Sequence, residues 1–218
     1  MSARALRGRR VLITSGPTRE PLDPVRYLSN ASSGAMGFAL AAAARRAGAR
    51  VTVVSGPTAL PSPRGVAVVP VETARQMRRE TLKRSRAAAL VVGAAAVCDW
   101  RAARPARVKL KRGPGALRLT LLPNRDIIKD AASRRRPGQV FVGFALETGR
   151  AEARARAKLA RKGLDLVVAN GPGNLGSSRA RVALVFRRGA ALRVEGPKTR
   201  VARAIVSEAA RLLDEQRA

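Results

Sequence analysis

The residues whose types and spacing best suit chemistry are Ser29-Asn30-Ala31-Ser32-Ser33-Gly34-Ala35-Met36-Gly37, which follow the apolar run Val11-Leu12-Ile13 and the turn Ser15-Gly16-Pro17-Thr18. A buried strand, a loop of small hydrogen-bonding residues and then the helical pattern from Met36 to Ala41 form an order that exposes unpaired backbone N–H groups to an anion. A phosphate or carboxylate site at Ser32, Ser33 and Gly34 is one reading. The other is local: a serine caps the helix and Gly34 relieves crowding. The loop by itself leaves both open.

Composition restricts the chemistry further. The 218 residues include no histidine, so Ser-His-Asp and Cys-His catalysis are excluded, as are zinc sites built on imidazole. What remains depends on positioning, cations, backbone donors and a carboxylate-bound metal. Phosphoryl or nucleotidyl transfer manages best on those terms, because charge neutralisation dominates it. One cysteine, Cys98, rules out an internal disulfide and fits a reducing cytoplasm. No apolar run reaches ~18 residues, so no membrane span is expected. The formal charge of +30 reads either as a solvated basic surface or as an attraction for nucleic acid. The basic residues are dispersed, and six aromatics give little for base stacking.

The elements that must position these residues alternate. Strands are expected at Val11–Thr14, Arg50–Val54, Gly65–Val71, Ala88–Gly93, Gln139–Ala145 and Asp165–Asn170, with helices from about Met36, Glu72, Arg125, Gly149 and Thr199. That rhythm predicts an α/β, Rossmann-like, largely parallel sheet with helices on both faces. Ser15–Thr18 recurs as Ser55–Thr58, so two strands are expected to end in similar turns. Arg107–Arg112 and Leu117–Leu122 flank Gly113-Pro114-Gly115 and predict a hairpin, a β arm over about 105–122 that projects from a single domain of residues 1–218. A last hairpin is expected at Val182–Phe186 and Ala191–Val194. Ligands of open sheets bind beyond the carboxyl ends of the strands. Thr14–Asn30, Ala94–Arg101, Phe144–Thr148 and Asn170 all fall there.

With those segments in place, the chain resembles the phosphopantothenate–cysteine ligases (phosphopantothenoylcysteine synthetases) of the bacterial CTP-using type. Gly16-Pro17-Thr18-Arg19-Glu20-Pro21-Leu22-Asp23-Pro24-Val25-Arg26-Tyr27-Leu28-Ser29-Asn30 and Ser32-Ser33-Gly34 carry the likeness most specifically. Ala94–Arg101, Lys109-Leu110-Lys111, Asn124–Ile128, Val142–Thr148, Lys158–Lys162 and Leu166–Asn170 extend it. The resemblance implies a Mg²⁺-dependent cytoplasmic homodimer in coenzyme A biosynthesis, each subunit contributing to its partner's pocket. Its reaction makes an acyl-cytidylate from 4′-phosphopantothenate and CTP, and cysteine then converts this to an amide. It further implies Asn30 as the catalytic amide and Lys109 as the cation that neutralises the triphosphate. Ala95, Asp99, Asn124, Asp126, Ile127, Phe144, Lys158 and Lys162 would hold the nucleotide, and Arg26, Ser32, Ser33 and Gly34 the substrate. Metal ligands are left open. Many relatives carry a flavin-dependent decarboxylase half; Met1 lies close to the first strand here, so that half and its flavin are not expected.

The departures are Ala31 and Ala35 at positions often polar in relatives, Arg125 where Asn-Pro-Asp-Ile is usual, and Ser178-Arg179 after the glycine-rich loop. Two other classes stand beside the ligase: a non-catalytic nucleotide- or dinucleotide-binding α/β protein, and a basic nucleic-acid-associated protein.

Overall fold

Val11 and Ile13 pack on one face of the first strand and Leu12 on the other, as a strand covered on both sides requires. The computed structural model describes residues 5–146, 151–174 and 176–216. Glu147 and Thr148, expected near the site, lie outside the described residues. In chain order the elements are β1 (Arg10–Ser15), β2 (Arg19–Pro21), β3 (Tyr27–Ser29), α1 (Ala35–Arg46), β4 (Arg50–Ser55), β5 (Ala67–Pro70), α2 (Ala74–Ser85) and β6 (Leu90–Gly93). There follow β7 (Trp100–Ala102), β8 (Leu121–Pro123), α3 (Ile127–Ala132), β9 (Val140–Leu146), α4 (Ala151–Lys162), β10 (Leu166–Asn170), β11 (Arg179–Phe186), β12 (Leu192–Pro197) and α5 (Lys198–Glu215).

Eight strands form one sheet in the order β12-β11-β10-β9-β6-β1-β4-β5. The six from β10 to β5 are parallel, and the β11–β12 hairpin extends the sheet antiparallel to β10. Helices cover both faces, so the expected Rossmann-like α/β architecture is present. Phe38 and Leu40 of α1 and Val201 and Ile205 of α5 pack on Val53, Val92, Val142 and Val168. Met77 of α2, Ile127 of α3 and Leu159 of α4 pack on the opposite side chains Val54, Val91, Phe141 and Val167. Among the described residues no helix is long and apolar enough to cross a membrane.

The arm differs from the expected hairpin. No strand ladder joins 107–112 to 117–120; the antiparallel pairing lies at the base, where Trp100–Ala102 meets Leu121–Pro123. Arg107, Lys109, Lys111 and Arg112 crowd one limb with like charge, and an isolated two-stranded ribbon is marginal in water. The outgoing limb takes its partners elsewhere. Ala106 N donates to Leu22 O at 2.9 Å and Leu110 N to the Asp23 carboxylate at 3.1 Å. The alternation that would put Arg107, Lys109 and Lys111 on one side of a strand is therefore not realised.

Candidate functional site

The sheet reverses its order of addition between β1 and β6. The chain leaves β1 towards β4 and β5 and later returns through β6 towards β9 and β10. Beyond the carboxyl ends of two such strands a crevice must open. The loops on its two sides are joined: Pro17 bridges Ala96 in parallel, Thr18 Oγ1 accepts from Cys98 N at 2.9 Å, and Ala96 N donates to Gly16 O at 2.9 Å.

The twin turns are adjacent because Ser15 and Ser55 are register partners on β1 and β4. A Cβ on Gly56 would overlap the Pro17 carbonyl oxygen, so only glycine allows the two loops to approach this closely. Thr58 of the second turn donates from Oγ1 to Ser33 O at 2.7 Å and braces the loop before α1. Gly34 stands at the N-cap of α1 with φ 78°, and no side chain caps that helix. The Ser32 and Ser33 hydroxyl oxygens accept from the nearby Gly34 and Ala35 N–H groups, at 3.3 and 3.4 Å.

A cavity of about 200 Å³ occupies the crevice on the β6 side. Ala95, Asp99, Asn124, Asp126, Ile127, Phe144, Lys158 and Lys162 all line it. Local folding explains their convergence. Asn124 ties the post-β6 loop to the start of α3: its N–H donates to Asp99 O at 2.7 Å and its Nδ2 to Cys98 O at 2.8 Å. Asp126 caps α3 by accepting from Lys129 N, and its second oxygen meets Lys162 Nζ at 2.6 Å. Lys158, one turn before Lys162 on α4, donates to Phe144 O at 2.5 Å. Two cations thus stand at one wall. Arg125 also lines the cavity, and its guanidinium turns to Asp130 at 3.5 Å.

The remaining expected residues are placed outside that lining. Asn30 touches its loop: its Nδ2 donates to Val97 O at 2.9 Å and to Ala96 O at 3.3 Å, and Val97 lines the cavity. Arg26 is engaged at the turn between β2 and β3, where Nε meets Asp23 at 2.9 Å and Nη2 donates to both Asp23 and Leu110 O. Lys109 is exposed on the arm segment held there, and Ser32, Ser33 and Gly34 stay at the head of α1. Asn170 pairs within the sheet and does not line the cavity.

Two buried carboxylates organise this second cluster. Glu20 accepts from Ala74 N at 2.7 Å at the start of α2, beside the capping box of Thr73 and Gln76. Burial pushes the Asp23 carboxyl up, but hydrogen bonds from Val25 N, the Arg26 side chain, Arg26 N and Leu110 N outweigh it and hold the group well below the usual carboxylate range. Thr81 and Ile128 line the cavity without having been expected there. Thr81 lies in a helix that gave no signal of a site, Ile128 closes the Asn124–Ile128 segment that carries part of the resemblance, and α2 packs against α3. Among the described residues no group of three or more acidic, cysteine or histidine side chains converges as a metal cage.

Residues 6–213 match the family described as DFP, DNA/pantothenate metabolism flavoprotein C-terminal domain. The chain is 46% identical over 165 residues to the coenzyme A biosynthesis bifunctional protein CoaBC of Vibrio cholerae serotype O1, covering 75% of this chain and 41% of that protein. It is 48% identical over 163 residues to the CoaBC of Escherichia coli K12, covering 73% and 40%. The chain therefore spans about two fifths of the length of these curated relatives. The crystal structure of the C-terminal domain of a CoaBC protein superposes with a TM-score of 0.84 at 35% identity, covering 97% of this chain and 99% of that one.

Proposed function

The chain belongs to the family of DNA/pantothenate metabolism flavoprotein C-terminal domains, and from that premise we propose that it is a ligase joining 4′-phosphopantothenate to cysteine in coenzyme A biosynthesis, with CTP as the activating nucleotide. The observation that carries the reading is the convergence, on one cavity at the reversal of the sheet, of the eight residues that the resemblance assigns to the nucleotide. In the first step a carboxylate oxygen of phosphopantothenate attacks the α-phosphorus of CTP and pyrophosphate leaves. In the second the cysteine amine attacks the acyl carbon, CMP leaves with the bridging oxygen, and the amine proton passes to solvent. Neither step requires histidine, because the anhydride is already activated and the protein chiefly orients and neutralises.

Lys158 and Lys162 receive phosphate charge, and Phe144 and Ala95 flank the nucleotide. Asn124 and Asp126 keep the wall in shape, and Ile127 closes it from the first turn of α3. Mg²⁺ fits as an ion carried mainly by phosphate oxygens, with Asp99 at the rim as the available protein carboxylate; it would offset charge on the triphosphate. The loop from Ser32 to Gly34 and the Arg26 turn take the anionic substrate, and Lys109 reaches the reacting phosphates from the arm. Asn30 serves the second step.

A homodimer is part of the proposal. Val108 is 74% exposed and Leu117 61% exposed on an arm that has no ladder of its own, and a second chain would cover them. So is a cytoplasmic setting. Mixing CTP, Mg²⁺ and phosphopantothenate, with and without cysteine, tests the reaction. Pyrophosphate release dependent on phosphopantothenate, and amide formation dependent on cysteine, are expected, with CTP turned over faster than ATP. Nucleotide binding without pyrophosphate release would defeat it.

A further inference from the structure

Asp23 divides its two carboxylate oxygens between two tasks. Oδ1 closes the turn between β2 and β3, accepting from Val25 N and Arg26 N at 2.8 Å each. Oδ2 accepts from Arg26 Nε at 2.9 Å, from Arg26 Nη2 at 2.6 Å, and from the distant Leu110 N at 3.1 Å. Arg26 Nη2 donates in turn to Leu110 O. Both backbone polar groups of Leu110 are therefore gripped by one ion pair, in a closed ring of hydrogen bonds that asks nothing of the leucine side chain. Ala106 N, donating to Leu22 O at 2.9 Å, ties down the same limb. The Asp23 side chain is fully buried, so the ring is anchored out of water, where charge-assisted hydrogen bonds hold firmly. The turn is already closed by Oδ1 and Arg26; the bond to Leu110 serves the arm.

We propose that Asp23 is a positioning residue which, through the backbone of Leu110, fixes the adjacent Lys109 for the reacting phosphates. The inference rests on the ligase reading above, which brings Lys109 to the triphosphate. A lysine is a point charge on a flexible stem, and this one stands on an arm whose limbs share no ladder. Left loose, backbone and side chain would both have to be ordered at the moment of reaction, and that entropy would come off the rate. The clamp orders the backbone in advance. Because it grips the main chain, the Lys109 side chain stays exposed and available to an anion.

The test compares pyrophosphate release from CTP, Mg²⁺ and phosphopantothenate, beside thermal melts, across variants on both sides of the contact. Leu110→Pro removes the N–H that Asp23 accepts and spares the Asp23–Arg26 pair; Leu110→Ala keeps that N–H and serves as control. Asp23→Asn reaches the arm from the other side. Lys109→Ala should lower kcat about a hundredfold, as loss of a group that stabilises developing charge does. Leu110→Pro should lower kcat about tenfold through misplacement, with KM for phosphopantothenate and the melting temperature close to wild type. Leu110→Ala should match wild type. Combined with Lys109→Ala, neither Leu110→Pro nor Asp23→Asn should slow the reaction further, because nothing is left to position. A merely structural loss would instead multiply with that of Lys109→Ala. Leu110→Pro at the wild-type rate, or losses that multiply in the double variants, would overturn the clamp and leave the ligase reading intact. Absence of pyrophosphate release by the wild-type chain would overturn the ligase reading and this role with it.

Discussion

Asn30→Ala separates chemistry from architecture. In the structure the side-chain amide donates to Val97 O at 2.9 Å and Ala96 O at 3.3 Å, on the loop that walls the cavity. Asn30 is exposed, and one good and one long neutral hydrogen bond there are together worth ~1 kcal/mol. At ~2.1 cal/mol/K per residue of unfolding entropy, that loss lowers the melting temperature of a chain this size by about 2 °C. An amide that turns from these carbonyls to donate to the oxyanion of the second step would be worth far more, ~3 kcal/mol or roughly a hundredfold in rate. The pyrophosphate burst and the amide product are followed separately, by coupled assay and by rapid quench. The expected outcome is a nearly normal burst, amide formation reduced about a hundredfold, and a small drop in melting temperature. Asn30→Asp should be at least as poor, because a carboxylate cannot donate and faces two carbonyl oxygens. A proportional fall in burst and product would refute the reasoning and leave Asn30 as a brace of the cavity wall.

Further outcomes follow from other contacts. Lys162→Met leaves Asp126 uncompensated beside the phosphates, so KM for CTP should rise between ~10-fold and ~100-fold, as expected for a lost charge-assisted hydrogen bond; an unchanged KM would remove Lys162 from the phosphate site. Gly56→Ala drives a methyl into the Pro17 carbonyl and should cost ~3 kcal/mol, seen as a melting temperature about 6 °C lower, whereas a normal melt would mean the twin turns can separate. Asp23 is depressed in the folded state, so its stabilisation is fully present above the unfolded value of ~3.9 and fades as pH falls through the folded one. The urea-midpoint difference between wild type and Asp23→Asn should therefore hold steady above about pH 5 and shrink on acidification; a difference growing towards low pH would contradict this assignment. The surplus of charge should give loose duplex binding, by fluorescence anisotropy, that collapses between ~50 and ~200 mM salt while ligase activity falls much less. Sequence-selective binding that survives physiological salt, with no pyrophosphate released, would favour a nucleic-acid protein.

The order of strands and helices was legible in the sequence because each is a local period. Val11-Leu12-Ile13 and Leu166–Ala169 are apolar throughout, and Val51–Val54 is apolar but for Thr52, as strands covered on both faces require. The repeat of Ser15–Thr18 at Ser55–Thr58 likewise announced two matching turns, and register then made them touch. The residues that line the cavity were legible through resemblance to a family motif; the composition alone excluded imidazole chemistry without choosing a reaction. Tertiary structure decided the rest. The arm's apolar and basic alternation predicted a ladder, yet its backbone donors found Leu22 and the Asp23 carboxylate, because a partner already fixed by the fold costs less entropy than a free hairpin of like charges. Arg26 reads as a substrate cation, and what only the tertiary structure adds is its ion pair with Asp23, a contact that depends on how the turn between β2 and β3 closes. Thr81 had no signal at all in a helix crowded with charge. Its place in the cavity follows from the packing of α2 on α3, and such a juxtaposition of distant residues is not encoded in any local period.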